Sequence, residues 1–179
     1  MKKIISVLMI AVMIFAFCAC GAKEKADGES EKGAVGLANP MAESTPEEIK
    51  EKLNVEFNVP ERAKNVRYFI IDGKTAQMSF SADGTDYTAR IESAEEFTDI
   101  SGMHYEWTKT DKYEFDTTVA QVSTVKDGEE PAGICLWYID ATKLMYSLSA
   151  TGVITSGGML VRMASETYIP VEPDTSAEK

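Results

Sequence analysis

From Val66 to Gly152 the hydrophobic positions recur with a period of two, broken by short polar turns, and on either side of that stretch the period becomes helical. In "VRYFIIDGKTAQMSF" two apolar runs flank Asp72-Gly73, and "SADGTDYTARIE" repeats the device at Asp83-Gly84. Asp-Gly between such runs is the strongest short hairpin signal a sequence can carry. Ala76, Met78 and Phe80 share one face of their strand, as do Tyr87, Ala89 and Ile91 of the next, so each has a buried and a wetter side. "HYEWT", with Tyr105 and Trp107 on one face, predicts a further strand, followed by a turn at Thr110-Asp111-Lys112 and a strand in "TTVAQVSTVKDG" that ends at Gly128. "AGICLWYIDATKLMYSLSATG" predicts the central pair, because Ile134 to Ile139 is apolar on both faces and both faces then need cover.

The flanks supply that cover. In "STPEEIKEKLNV", Ser44 or Thr45 serves as N-cap, Pro46 opens the helix, and Glu47 and Glu48 sit where the helix dipole favours anions. Ile49 and Leu53, four apart, form its apolar side, and Pro60 closes the connection that follows. In "TSGGMLVRMASETYI", Thr155 or Ser156 caps a second helix with Met159, Leu160, Met163 and Ala164 on its apolar stripe. The expected fold is α+β: an antiparallel meander sheet of about seven strands, with a short N-terminal helix and a C-terminal helix packed on it.

Ahead of this domain Lys2 and Lys3 precede a run from Ile4 to Phe17 whose one polar residue is Ser6. As a helix that run would rise about 21 Å, short of the ~30 Å hydrocarbon core, so it reads as a signal peptide and not as a span. Residues 21–37 alternate charge with glycine and alanine and offer almost nothing apolar to offset their ordering entropy, which predicts a flexible tether. The expected organisation is a signal peptide over 1–19, the tether with Cys20 at its head over 20–37, one domain over 38–171 and a polar tail over 172–179.

Removing residues 1–19, which carry two lysines and no acid, takes the formal net charge from -11 to -13. Such a surface repels nucleic acid and anionic headgroups alike. Of three cysteines, Cys18 would leave with the peptide and Cys20 stands at the new N-terminus; Cys135 then has no disulfide partner and the fold must stand on its core.

Few residues carry chemistry. His104 is the single histidine, and Cys135 lies in the most apolar run, where burial raises a thiol's pKa and makes it inert. Clustered Cys and His for zinc are missing, and Asp83, Asp86, Glu92, Glu95, Glu96 and Asp99 lack a calcium-loop spacing. Asp127, Glu129 and Glu130 read as a charged turn, and Gly157-Gly158 as a weak anion signal. Met78, Met145, Met159 and Met163 read as core filler, Met103 flanks a turn, and Met41 falls outside the sheet. No catalytic, cofactor-binding or metal-ligating residues are assigned, and no cofactor is expected.

Two resemblances add to this reading. Ala19, Cys20 and Gly21 resemble the lipobox of bacterial lipoproteins, which implies a diacylglyceryl group on Cys20 and cleavage before it; Phe17 and Cys18 depart from the usual aliphatic and small residues. Two or more buried acyl chains make a durable anchor. "NPMAESTPEEIKEKLNVEFNVP", "DISGMHYEW" and "CLWYIDATKLMYSLSATG" resemble a family of uncharacterised extracytoplasmic domains of Gram-positive lipoproteins and anti-sigma-factor outer regions, over residues 39–169. That resemblance implies a small sensor or interaction module with no catalytic residues. The expected function is a lipid-anchored, non-enzymatic module on the outer face of the bacterial cytoplasmic membrane, binding an envelope protein, a peptide or a small apolar ligand, with the sheet's second face as contact surface. Two alternatives are a carrier of a lipid or other apolar ligand under a curved sheet, and an envelope-polymer hydrolase using paired acids such as Glu92 and Glu95.

Overall fold

The computed structural model describes residues 41–125, 131–154 and 156–170. Their eight strands form a single sheet: β1 (Met41–Ser44), β2 (Lys64–Ile71), β3 (Thr75–Ala82), β4 (Thr85–Ser93), β5 (Lys109–Phe115), β6 (Thr118–Val125), β7 (Ala132–Ile139) and β8 (Leu144–Gly152). The spatial order is β1-β2-β3-β4-β8-β7-β6-β5, with every neighbouring pair antiparallel. The architecture is α+β as expected, but with eight strands instead of about seven, and with two four-stranded meanders joined at β4 and β8 instead of one.

The Asp-Gly turns form where expected. Asp72 and Gly73 have φ of 51° and 70°, Asp83 and Gly84 of 53° and 77°, the doubly left-handed pair that matches the twist of the flanking strands. Three expectations need correction. "MAES" is the edge strand β1, so Met41 belongs to the sheet. "HYEWT" is not a strand; it ends the connector of residues 94–108 between β4 and β5. Thr110, Asp111 and Lys112 lie within β5, and the β5–β6 turn falls instead at Asp116-Thr117, with Asp116 taking a left-handed φ of 50°.

Helix α1 (Pro46–Leu53) is capped by Thr45, whose hydroxyl accepts from Glu48 N at 3.2 Å, and ends on Asn54 in the left-handed region. Helix α2 (Gly157–Thr167) is capped by Ser156, which accepts from Met159 N at 3.3 Å. Its buried residues Leu160, Met163, Ala164 and Thr167 stand at i, i+3, i+4 and i+7, a helical stripe. Both helices pack on one face of the sheet, α1 over β2 and β3, α2 over β5 to β8. Gly133 of β7 permits α2 to approach, since a Cβ there would lie 2.6 Å from Leu160 Cδ1.

The core lies between that face and the helices. One row crosses the sheet from Tyr68 through Met78, Ala89, Leu148 and Cys135 to Val122. Beside it Trp137 stacks on Tyr146 at 5.1 Å, with Phe115 and Tyr168 packed around them. Among the described residues no helix is long and apolar enough to cross a membrane.

Candidate functional site

The second face is built differently, because alternate residues of the same strands are mostly polar. One row runs Glu43, Phe69, Gln77, Arg90, Ser147, Leu136, Gln121, Lys112 across all eight strands. A second runs Arg67, Ser79, Thr88, Ser149, Ile134, Ser123, Thr110. Among the described residues Ile134, Leu136 and Met145 form an apolar island, and the connector covers it with Ala94, Ile100, Met103 and Trp107.

Hydrogen bonds hold the connector down. Ala94 N donates to Lys143 O at 2.9 Å, Tyr138 Oη donates to Ala94 O and Glu95 O at 3.1 and 3.0 Å, and Thr108 N donates to Thr124 O at 3.1 Å. The connector has to pass from β4 to β5, four strand spacings away, which is about 19 Å. Its path covers the β7–β8 half of the second face. Apart from the turn that lies over Arg90 of β4, the half built by β1 to β4 has no covering element among the described residues.

Arg90 stands at the border of the two halves. Its Nε donates to Gln77 Oε1 at 2.8 Å and its Nη1 to Ile100 O at 2.9 Å, both neutral acceptors. Among the described residues Lys64, Lys112 and Arg90 are the cations with no carboxylate within 4.0 Å. The two lysines are exposed, whereas Arg90 is half-buried. Burial lowers the guanidinium's pKa below its usual value, and the more distant Asp99 and Glu92 offset this only in part. Ser147, its neighbour in the register, is 1% exposed and its hydroxyl has no partner.

Above the guanidinium sits the turn Ile100-Ser101-Gly102. Asp99 Oδ1 accepts from Ser101 N at 2.8 Å, Ser101 Oγ accepts from Met103 N at 3.1 Å, and Gly102 takes a φ of 69° against Arg90. Gln77, Asp86, Thr88, Arg90, Ser101 and Ser149 are among the residues lining a cleft of about 230 Å³ beside this turn.

The other candidates fall elsewhere. Cys135 is fully buried on the helix-covered face, where burial pushes its thiol up to about 12. His104 is exposed on the connector, so the sheet lies between the two. Glu92 receives hydrogen bonds from Lys74 Nζ at 2.8 Å and from Thr75 Oγ1. Burial pushes its carboxyl up, but Lys74 and Thr75 outweigh this and hold it below the usual range, the opposite of what a general acid needs. Glu95 and Glu96 are exposed, and Asp83 pairs with Arg62 at 3.3 Å. No group of three or more His, Cys, Asp or Glu capable of holding a metal occurs among the described residues. Gly157 starts α2 against Tyr113, where a Cβ would lie 2.7 Å from the phenol oxygen. Cys20, the signal peptide, the tether, Asn39-Pro40, the turn at Asp127, Glu129 and Glu130, Thr155 and the tail lie outside the described residues.

Sequence reading passed over Arg90, Gln77, Thr88 and Ser149. The signal was a basic residue between Ala89 and Ile91, on the wetter side of a strand.

No family model matches the chain, and no curated protein or solved structure matches it either.

Proposed function

We propose that this chain is a non-catalytic binding module, tethered by a lipidated Cys20 to the outer face of the bacterial cytoplasmic membrane, that engages an envelope protein or peptide through the open half of its second face. The observation that carries the reading is the division of that face. The connector buries the apolar island of β7 and β8, while among the described residues the half formed by β1 to β4 is open beyond the turn over Arg90 and bears that half-buried arginine without an ion pair. A cation taken out of water without a counter-charge costs stability, and an anionic partner would offset that cost.

The edges of the sheet support the face over the rim as the contact surface. β1 has only four residues, and β5 carries Lys109, Asp111, Lys112 and Glu114, with Lys109 and Asp111 paired at 2.6 Å. Short or charged edges resist strand addition. Catalysis has little to work with, because the thiol of Cys135 stays protonated inside the core and Glu92 is engaged by Lys74 and Thr75.

A photo-crosslinking residue in place of Phe69, on the open half, tests this in intact cells against the same residue in place of Glu51, on the exposed side of α1. The expected result is an adduct from position 69 that excess purified protein suppresses, and none from position 51. Equal adducts from both positions, or none from position 69, would contradict the reading.

A further inference from the structure

Resting on that reading of the open face, we propose that the cleft between β3, β4, β8 and the turn at Ser101-Gly102 takes the free ends of a short extended peptide, its carboxylate on Arg90 and its ammonium on Asp86. The two residues lie four apart on β4 and face the same side, with Thr88 between them. Strand rise sets their Cα atoms about 13 Å apart. Three extended residues span about 10 Å, which the length of the arginine side chain complements.

Both charges are unspent. Arg90 uses Nε and Nη1 on neutral oxygens, while its Nη2 makes no hydrogen bond among the described residues. Asp86, exposed at the other end of the cleft, makes neither an ion pair nor a hydrogen bond there. A guanidinium fork suits a carboxylate, and a carboxylate suits an ammonium. Between the charges the cleft offers the hydroxyls of Thr88, Ser149 and Thr151, which match the polar backbone of a peptide. The cleft volume of about 230 Å³ accommodates small side chains. A simple anion would leave Asp86 repelling it; a peptide with both ends free answers both charges.

The test is a titration of the mature chain in detergent micelles, followed by the backbone amide shifts of β3, β4 and β8. The probes are trialanine, its C-terminal amide and its N-acetyl form. Trialanine is expected to shift these amides with at least tenfold tighter binding than the amide and at least fivefold tighter than the acetylated form. Asp86→Asn, an exposed substitution that spares the core, is expected to abolish the preference over the acetylated form. Arg90→Gln, which keeps an amide for the local hydrogen bonds, is expected to abolish the preference over the C-terminal amide. Equal binding of the three probes, no binding at all, or an unchanged preference in Asp86→Asn would overturn the proposal. A failure here with the Phe69 adduct intact would remove the peptide and leave the open-face reading standing.

Discussion

Gly102 has a φ of 69° and touches the Arg90 guanidinium so closely that a Cβ would collide with Nη1. Both facts require glycine: the left-handed backbone costs other residues about 1–3 kcal/mol, and the missing side chain makes room for the arginine. The turn that places it is fixed by the side chains of Asp99 and Ser101, each accepting from a backbone N–H two residues on. Gly102→Ala is therefore expected to lower stability by about 1–3 kcal/mol in urea unfolding and to free Arg90 from Ile100 O. An unchanged unfolding midpoint would show that the turn does not clamp the arginine. Little of this was legible beforehand. Ser101-Gly102 could be seen as a turn, but its target lies on another strand and nothing local in "YTARIE" says what covers Arg90.

The connector of residues 94–108 is the element that decides which half of the second face is available. It lacks regular structure, yet Trp107, Met103 and Ile100 bury the island of Ile134, Leu136 and Met145. Trp107→Ala is expected to cost about 1–2 kcal/mol, less than for a fully buried tryptophan because Trp107 keeps part of its surface in water. It should also increase binding of a hydrophobic dye, as the island becomes exposed. A variant as stable as the parent and silent to the dye would mean that the connector is not a cover. The alternation in "HYEWT" suggested a strand, but only Trp107 packs on the island while Tyr105 is exposed. The Asp-Gly hairpins were legible, since their left-handed pair is a local requirement. β1 was not, because Met41–Ser44 pairs with β2 through its backbone and shows no apolar alternation of its own. The β4–β8 pairing was equally hidden: the register joins residues some sixty positions apart, and no local pattern specifies it.

For the whole molecule the proposed membrane placement has to be reconciled with an acidic chain. The net charge is -11 for the entire chain and -13 once residues 1–19 are removed, so anionic headgroups repel it. Among the described residues the exposed large apolar side chains Val59, Phe97, Tyr105, Val119 and Val153 come from α1's exit, the connector, β6 and the end of β8. In the proposed reading attachment rests on acyl chains on Cys20, with the polar segment up to residue 37 as spacer. The polar second face can meet envelope peptides only if this placement is right. Intact-mass measurement of the protein extracted from membranes tests it most directly. The account predicts a chain beginning at Cys20, heavier than its sequence by a diacylglyceryl group. Recovery of the unmodified 179-residue chain of 19.6 kDa from the soluble fraction would contradict it.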